Sequence, residues 1–459
     1  MRASAFKYTI LSCVATLSML LLALLPFHAF LSVWVSSGLG HYTAVRLWKE
    51  VVLVVCIVGA LYLLYVDTKI RSHTLSRRIV QLILVYCAIE IIWGALAYER
   101  HGVNAKALGY GLISNLRFLG FFLVVWSTAL RTDKVRKHWF RLTIWPAVVV
   151  VLFGLLQVFV LPKDFLIHFG YGPHTIVPFE TINNNPDYIR YASFLRGANP
   201  LGAYLLIPFS VITVFLVRGR RDLRFVALWA ATIAMLFFSY SRAAWLGGIV
   251  VFIVIIPLTG LRSPRVRRGL FLGLPLVIIS LSVLAIALHH NARFQNTFLH
   301  TQNHSRVAAT SDAGHASATK AGFLDLVHHP LGSGPGTAGP ASVYNNHPAR
   351  IAENYFIQVG QEVGWLGLAI FLLINCGVGY LLWVRRDDPL ALALFASLLG
   401  LSIVNFLSHG WADDTLAYVW WGLAGIAVSI MPEAISVPEA LLPVRKSRQK
   451  QTPRAAAKG

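Results

Sequence analysis

Residues Ile79–Tyr98 read IVQLILVYCAIEIIWGALAY and follow the basic pair Arg77-Arg78. A single carboxylate, Glu90, interrupts an otherwise uncharged run. At about 1.5 Å per residue, a helix of this length is about 30 Å long, the thickness of a bilayer's hydrocarbon core. The stretch therefore predicts a membrane-spanning helix with cations gathered at its start.

Working outward, the same pattern recurs from Tyr8 to Met431 and gives about twelve spans. They fall near 9–33, 50–66, 79–98, 108–130, 142–161, 199–217, 225–241, 244–260, 270–288, 365–384, 389–407 and 414–432. Composition agrees, with 56% of the 459 residues hydrophobic and 13% charged, against about 25% charged in a soluble chain. The expected fold class is an all-α integral membrane protein with a large extracytoplasmic loop between helices nine and ten. Its parts are a cytoplasmic N-terminus, 1–8; helices one to nine, 9–288, including an extracytoplasmic loop at 162–198; the large loop, 289–364; helices ten to twelve, 365–432; and a basic cytoplasmic tail, 433–459. The first apolar run lacks a small-x-small cleavage site and is read as a retained helix. A soluble enzyme is excluded by the same runs.

The net charge of +21 could indicate nucleic acid, but its placement argues for topology instead. With the N-terminus in the cytoplasm, 27 of the 40 Lys and Arg residues fall in short internal loops and the tail. Examples are Arg77 and Arg78, Arg131 to Arg141, Arg218 to Arg224, and Arg385 with Arg386. This is the positive-inside bias. It predicts both termini in the cytoplasm and contact with anionic lipid, and no nucleic-acid partner. The four cysteines all lie in apolar runs, which speaks against a disulfide framework or thiol catalysis.

Polar chemistry collects in the two long outer segments. The second carries eight of the sixteen histidines, His289, His290, His300, His304, His315, His328, His329 and His347, without metal-ligand spacing. They are read as surface histidines, with no metal or cofactor expected. The outer arginines are more telling, because positive-inside pressure selects against them. Arg190 and Arg196 lie in the first loop, Arg242 in a very short turn between spans, and Arg306 and Arg350 in the second loop. Guanidinium groups grip phosphate with two parallel hydrogen bonds. Several converging at one face would suit a lipid diphosphate. Inside the membrane, Glu90 and Arg117 sit in consecutive spans, and the simplest expectation is an ion pair between them; a proton or ion pathway is the alternative, favouring a transporter.

Four stretches carry a family resemblance. They are Phe194-Leu195-Arg196-Gly197-Ala198-Asn199-Pro200-Leu201-Gly202; Ser239-Tyr240-Ser241-Arg242; His329-Pro330-Leu331-Gly332-Ser333-Gly334-Pro335-Gly336; and Glu353-Asn354-Tyr355-Phe356-Ile357-Gln358 continuing through Glu362-Val363-Gly364-Trp365-Leu366-Gly367. In order, spacing and side of the membrane, the set resembles the O-antigen ligase and O-antigen polymerase superfamily of bacterial integral-membrane glycosyltransferases. The resemblance implies a location in the bacterial plasma (inner) membrane. It also implies a substrate, an undecaprenyl-diphosphate-linked glycan, and an acceptor that is another glycan or lipid A–core. The reaction it implies is inverting and independent of metal. Many members carry a histidine directly before the Asn of the fourth motif as the expected base, whereas this chain has Glu353 there and its nearest upstream histidine is His347. Glu353 and His347 are therefore the two candidates for the base, with Arg196 and Arg242 foremost for the diphosphate. Transport or flipping of a lipid-linked sugar is the rival function; no repeat between the two halves supports it. Nor does the sequence separate ligase from polymerase.

Overall fold

In lipid, a backbone must satisfy its own N–H and C=O groups, so apolar runs of this length become helices. The computed structural model describes residues 2–182, 185–220, 222–260, 286–288, 290–291, 294–295 and 311–429. Helix α1 (Arg2–Leu24) passes through a tight turn at Leu25–Phe27, which contains Pro26, into α2 (His28–Leu39). There follow α3 (Tyr42–Val45), α4 (Trp48–Val66), α5 (Thr68–Leu75), α6 (Arg78–Glu99), α7 (Ala105–Ala129) and α8 (Lys134–Phe159). A ribbon of β1 (Glu180–Ile182) and β2 (Asn185–Arg190) precedes α9 (Ala198–Val217), α10 (Leu223–Phe238) and α11 (Arg242–Gly260). Then come α12 (Ser311–His328), α13 (Tyr355–Val384), α14 (Pro389–Leu407) and α15 (Asp414–Ser429).

Among the described residues, nine helices are long and apolar enough to cross a membrane. Helices α10 and α15 coincide with two further expected spans but have 16 residues each. The ninth expected span, 270–288, lies almost wholly outside the described residues, as do Arg306 and the tail 433–459. The outer surface fits a lipid solvent. Along α4, Val51, Val54, Val55, Val58, Leu61 and Tyr65 are all exposed, and their three-to-four-residue spacing makes one bare apolar face. Helices α9 and α14 run inside the bundle instead. There α11 and α14 meet backbone to backbone: a Cβ on Gly247 would stand 2.8 Å from the carbonyl oxygen of Gly400.

The expected helical membrane fold is found, with one short antiparallel ribbon that pairs Glu180 with Arg190 and Thr181 with Ile189. One expectation changes. The tenth span was expected to start at 365, but helix α13 begins ten residues earlier, at Tyr355, and is broken at Val363 and Gly364. Its first part carries Gln358, Gln361 and Glu362, all buried. Those polar residues disguised it as loop, because hydropathy registers the side chain and not the partners that satisfy it.

Candidate functional site

The site forms where three helices begin on the same side of the bundle. Ser241, Arg242 and Ala243 open α11, Asn199 stands in the first turn of α9, and Asn354 caps α13 by accepting from Ile357 N at 3.0 Å. All of them border one cavity of about 970 Å³. The first turn of a helix carries unpaired N–H groups and the positive end of its dipole, so three such ends around one space favour an anion.

The cations reinforce this. Arg190, Arg242 and Lys320 line the same cavity. Arg190 sits on β2, where its Nη2 donates to Asn199 Oδ1 at 2.6 Å and its Nε to Ser239 O at 3.3 Å. Glu180, across the ribbon, lies 3.8 Å from Arg190 Nη1 and accepts from Ala198 N at 3.2 Å. The ribbon thus ties the first motif to the second. Burial lowers the pKa of Arg190, Glu180 opposes that, and the like charge of Arg242 adds to it. Arg242 is presented by a strained turn, with Tyr240 at φ 48° and Ser241 N bonded to Ser239 Oγ at 3.2 Å.

Part of the lining is apolar and open, with Leu246, Phe323, Trp365, Phe406 and Leu407 all lining the cavity and all exposed. Glu353 also lines it, at φ 53°, with Oε2 3.4 Å from Nδ1 of His315 on α12. The lining thus combines fixed positive charge, an exposed apolar surface and a histidine–carboxylate pair.

The third and fourth motifs shape this site from behind. The break in α13 frees carbonyls, and the glycine-rich turn fills them: Ser333 N donates to Gln361 O at 2.8 Å and Gly334 N to Glu362 O at 2.7 Å. Gly336 N reaches Glu362 Oε1 at 2.8 Å, and Trp365 N returns to Pro330 O at 3.0 Å. Gly364 takes φ 70° against Leu331, which only glycine adopts without strain. Asp325 clamps the outside, accepting from Arg350, from Gln361 Nε2 at 2.5 Å and from His329 Nδ1 at 3.0 Å. Burial works against the Asp325 charge, but Arg350, Gln361 and His329 hold its pKa below the usual value.

A second cleft, about 150 Å³, lies among Tyr42, Arg46, Tyr110, Arg196, Tyr344 and Asp413. A charged network also borders it. Lys49 Nζ meets Glu50 Oε1 at 2.9 Å and Asp414 Oδ2 at 3.0 Å, while Arg117 pairs with Asp414 and donates to Ala412 O at 2.7 Å. Arg196 Nε stands 4.0 Å from Asp413 Oδ2. His409 sits in the link between α14 and α15, where burial lowers its pKa to about 4, helped by the charges of Arg196 and His315. Its Nε2 is buried without a hydrogen-bond partner among the described residues.

These positions sort the expected site residues. Arg190, Arg242 and Glu353 share one cavity, and Arg196 borders the neighbouring cleft, so the outer arginines do not converge on a single point. Arg350 is engaged by Asp325, and exposed His347 borders neither space. The expected Glu90–Arg117 pair is not formed. Glu90 and Glu362 instead share the amide of Asn115, at 3.2 and 2.8 Å, and Arg117 turns to Asp414. The sequence reading took His315 for a surface histidine, quoted Asn199 only within the first motif, and did not single out Lys320, His409 or the Lys49–Glu50–Asp414 network. Asn199 and Asn354 carried a usable signal, a capping-type residue just before or inside the first turn of an apolar run. Among the described residues, no three of His, Cys, Asp and Glu are grouped closely enough to hold a metal ion.

No curated protein matches the chain. Residues 225–372 match the family model described as O-antigen ligase. That segment runs from the start of α10 into the second part of α13 and contains the last three of the four motifs. The chain is therefore a membrane protein that is similar to the O-antigen ligase family over residues 225–372, which supports a place in the O-antigen ligase and polymerase superfamily.

Proposed function

We propose that the protein transfers a glycan from undecaprenyl diphosphate to an acceptor hydroxyl at the extracytoplasmic face of a bacterial inner membrane, with both termini in the cytoplasm. The observation that carries this reading is the cavity that Arg190, at the end of β2, and Arg242, at the start of α11, line beside an exposed apolar flank. A polyprenyl diphosphate has the matching form, a compact anion on a long hydrocarbon.

Cleavage of the glycosyl–diphosphate bond builds negative charge on the leaving oxygen. Fixed guanidinium groups and helix N-termini stabilise that charge without reorganising. The acceptor oxygen attacks the anomeric carbon from the opposite face, and its proton must leave to a base. Of the two groups expected for that step, Glu353 lines the cavity and His347 does not. The adjacent cleft, with Arg196 and Asp413 at 4.0 Å, offers paired donors and acceptors for sugar hydroxyls and is assigned to the acceptor.

The test is reconstitution in lipid with an undecaprenyl-diphosphate-linked oligosaccharide and, in separate reactions, a second carrier-linked unit or lipid A–core. A lengthened carrier-linked glycan identifies a polymerase, and a glycosylated core identifies a ligase. Movement of the carrier-linked glycan across the bilayer with no new glycosidic bond would replace this reading with a flippase.

A further inference from the structure

We infer that His315 is the general base of the transfer and that Glu353 is its positioning residue. This rests on the function proposed above. His315 Nδ1 lies 3.4 Å from Glu353 Oε2, and both side chains line the cavity, with 42% and 36% of their surface exposed. They are reachable from the space that the arginines border.

The pairing is held from several sides. One turn beyond His315 on α12, Thr319 Oγ1 donates to Ala352 O at 3.1 Å. Residues four apart on a helix share a face, so Thr319 and His315 together dock α12 along 352–353. On the other side Asn354 is buried and caps α13, and Tyr355 N donates to Ser408 O at 3.2 Å. Glu353 is thereby fixed between two anchored neighbours in a left-handed conformation that a glutamate adopts only under constraint.

A carboxylate beside Nδ1 selects the tautomer with the proton on Nδ1 and leaves a lone pair on Nε2. Imidazole is suited to accepting a proton near neutral pH. In the step, the acceptor O–H gives its proton to His315 Nε2 and the oxygen forms the new bond to the anomeric carbon. The bond from that carbon to the diphosphate oxygen breaks, and its electron pair leaves with the lipid diphosphate. The imidazolium formed is neutralised by Glu353, the one carboxylate among the described residues lining the cavity, and then loses its proton to water. Arg190, Arg242 and Lys320 face the same space and remain cationic counterparts of the leaving group.

The experiment uses the full chain in phosphatidylethanolamine–phosphatidylglycerol nanodiscs with an undecaprenyl-diphosphate-linked oligosaccharide as donor and both acceptors. His315→Ala should lose roughly 10²–10⁴ in rate, and added imidazole should restore part of it. Glu353→Gln should lose less, and imidazole should not restore it. Nitrogen-15 spectra of His315 should show the Nδ1–H tautomer in the parent and a shift towards Nε2–H in Glu353→Gln. A near-parental rate for His315→Ala would remove the base role while leaving the transferase reading intact. Loss in Glu353→Gln with a mild His315→Ala would make Glu353 itself the base. An unchanged tautomer in Glu353→Gln would overturn the pairing whatever the activity. A parent that transfers to neither acceptor would bring down the functional reading, and the base role with it.

Discussion

Asn115 Nδ2 stands 2.8 Å from Glu362 Oε2 and 3.2 Å from Glu90 Oε2, so one amide joins two fully buried carboxyl groups. Glu362 also receives Gly336 N, which places the glycine-rich turn, the break in α13 and helix α6 in one polar unit. Asn115→Leu removes the shared donor and leaves Glu90 Oε2 and Glu362 Oε2 without it, while Gly336 N still serves Glu362 Oε1. Each lost partner costs about 1–3 kcal/mol, so unfolding by sodium dodecyl sulfate in mixed micelles should show a loss of at least that size. Glu90→Gln keeps a carbonyl acceptor for the Asn115 amide. It should be far milder, and equal damage from the two changes would refute the bridging role.

The two arginine positions should separate kinetically. Arg242→Ala removes a contact to the donor diphosphate and should cost about 1.5–3 kcal/mol in transition-state stabilisation. Arg242→Lys should recover only part, because an ammonium cannot fork. Arg196→Ala, at the neighbouring cleft, should mainly raise the acceptor KM. Steady-state rates with donor and acceptor varied in turn decide this. A donor-only defect in Arg196→Ala would return that residue to the diphosphate.

His409 makes stability depend on pH. Its folded pKa, about 4, lies below the ordinary 6.5 because burial disfavours the charged ring. The unfolded chain therefore binds the extra proton first as pH falls. Stability is intact above about 6.5 and declines towards pH 4, by at most about 3 kcal/mol. His409→Gln removes the titration. Between pH 7.5 and 4.5 the thermal midpoint of this variant should fall less than that of the parent. Equal falls would assign the acid sensitivity elsewhere.

Orientation is tested by labelling in intact cells, in a background without Cys13, Cys56, Cys87 and Cys376. Ser317 on α12 and Arg220 between α9 and α10 are both exposed. An impermeant maleimide should modify Ser317→Cys and spare Arg220→Cys. The reverse pattern would invert the topology drawn from the basic loops.

The spans were legible because lipid imposes long apolar runs, and Arg242 drew notice because a cation in so short a turn between apolar runs demands a reason. The pairing inside the membrane was not. Asn115 and Arg117 are two residues apart on α7, and positions i and i+2 do not share a helix face. Asn115 therefore reaches α6 and α13, while Arg117 reaches Asp414 on α15. Sequence distance gave Glu90 and Arg117 as neighbours; helical rotation separates them. The ribbon was hidden because 180–190 includes Pro186 and lacks a clean two-residue alternation. Helix α12 was hidden by its serines and histidines, which read as polar loop, so His315 was taken for a surface histidine.

The exposed flank formed by Leu246, Phe323, Trp365, Phe406 and Leu407 has a kinetic consequence on the proposed reading. A substrate arriving through that side never leaves its leaflet, so encounter is a search in two dimensions. The quantity that governs saturation is then a surface density, carrier molecules per unit area, and diluting the proteoliposomes in buffer at fixed lipid composition would leave the donor term of the rate law unchanged. The spent lipid diphosphate departs through the same opening, and as it accumulates in the leaflet it competes with fresh donor at an occupancy set by its mole fraction in the membrane.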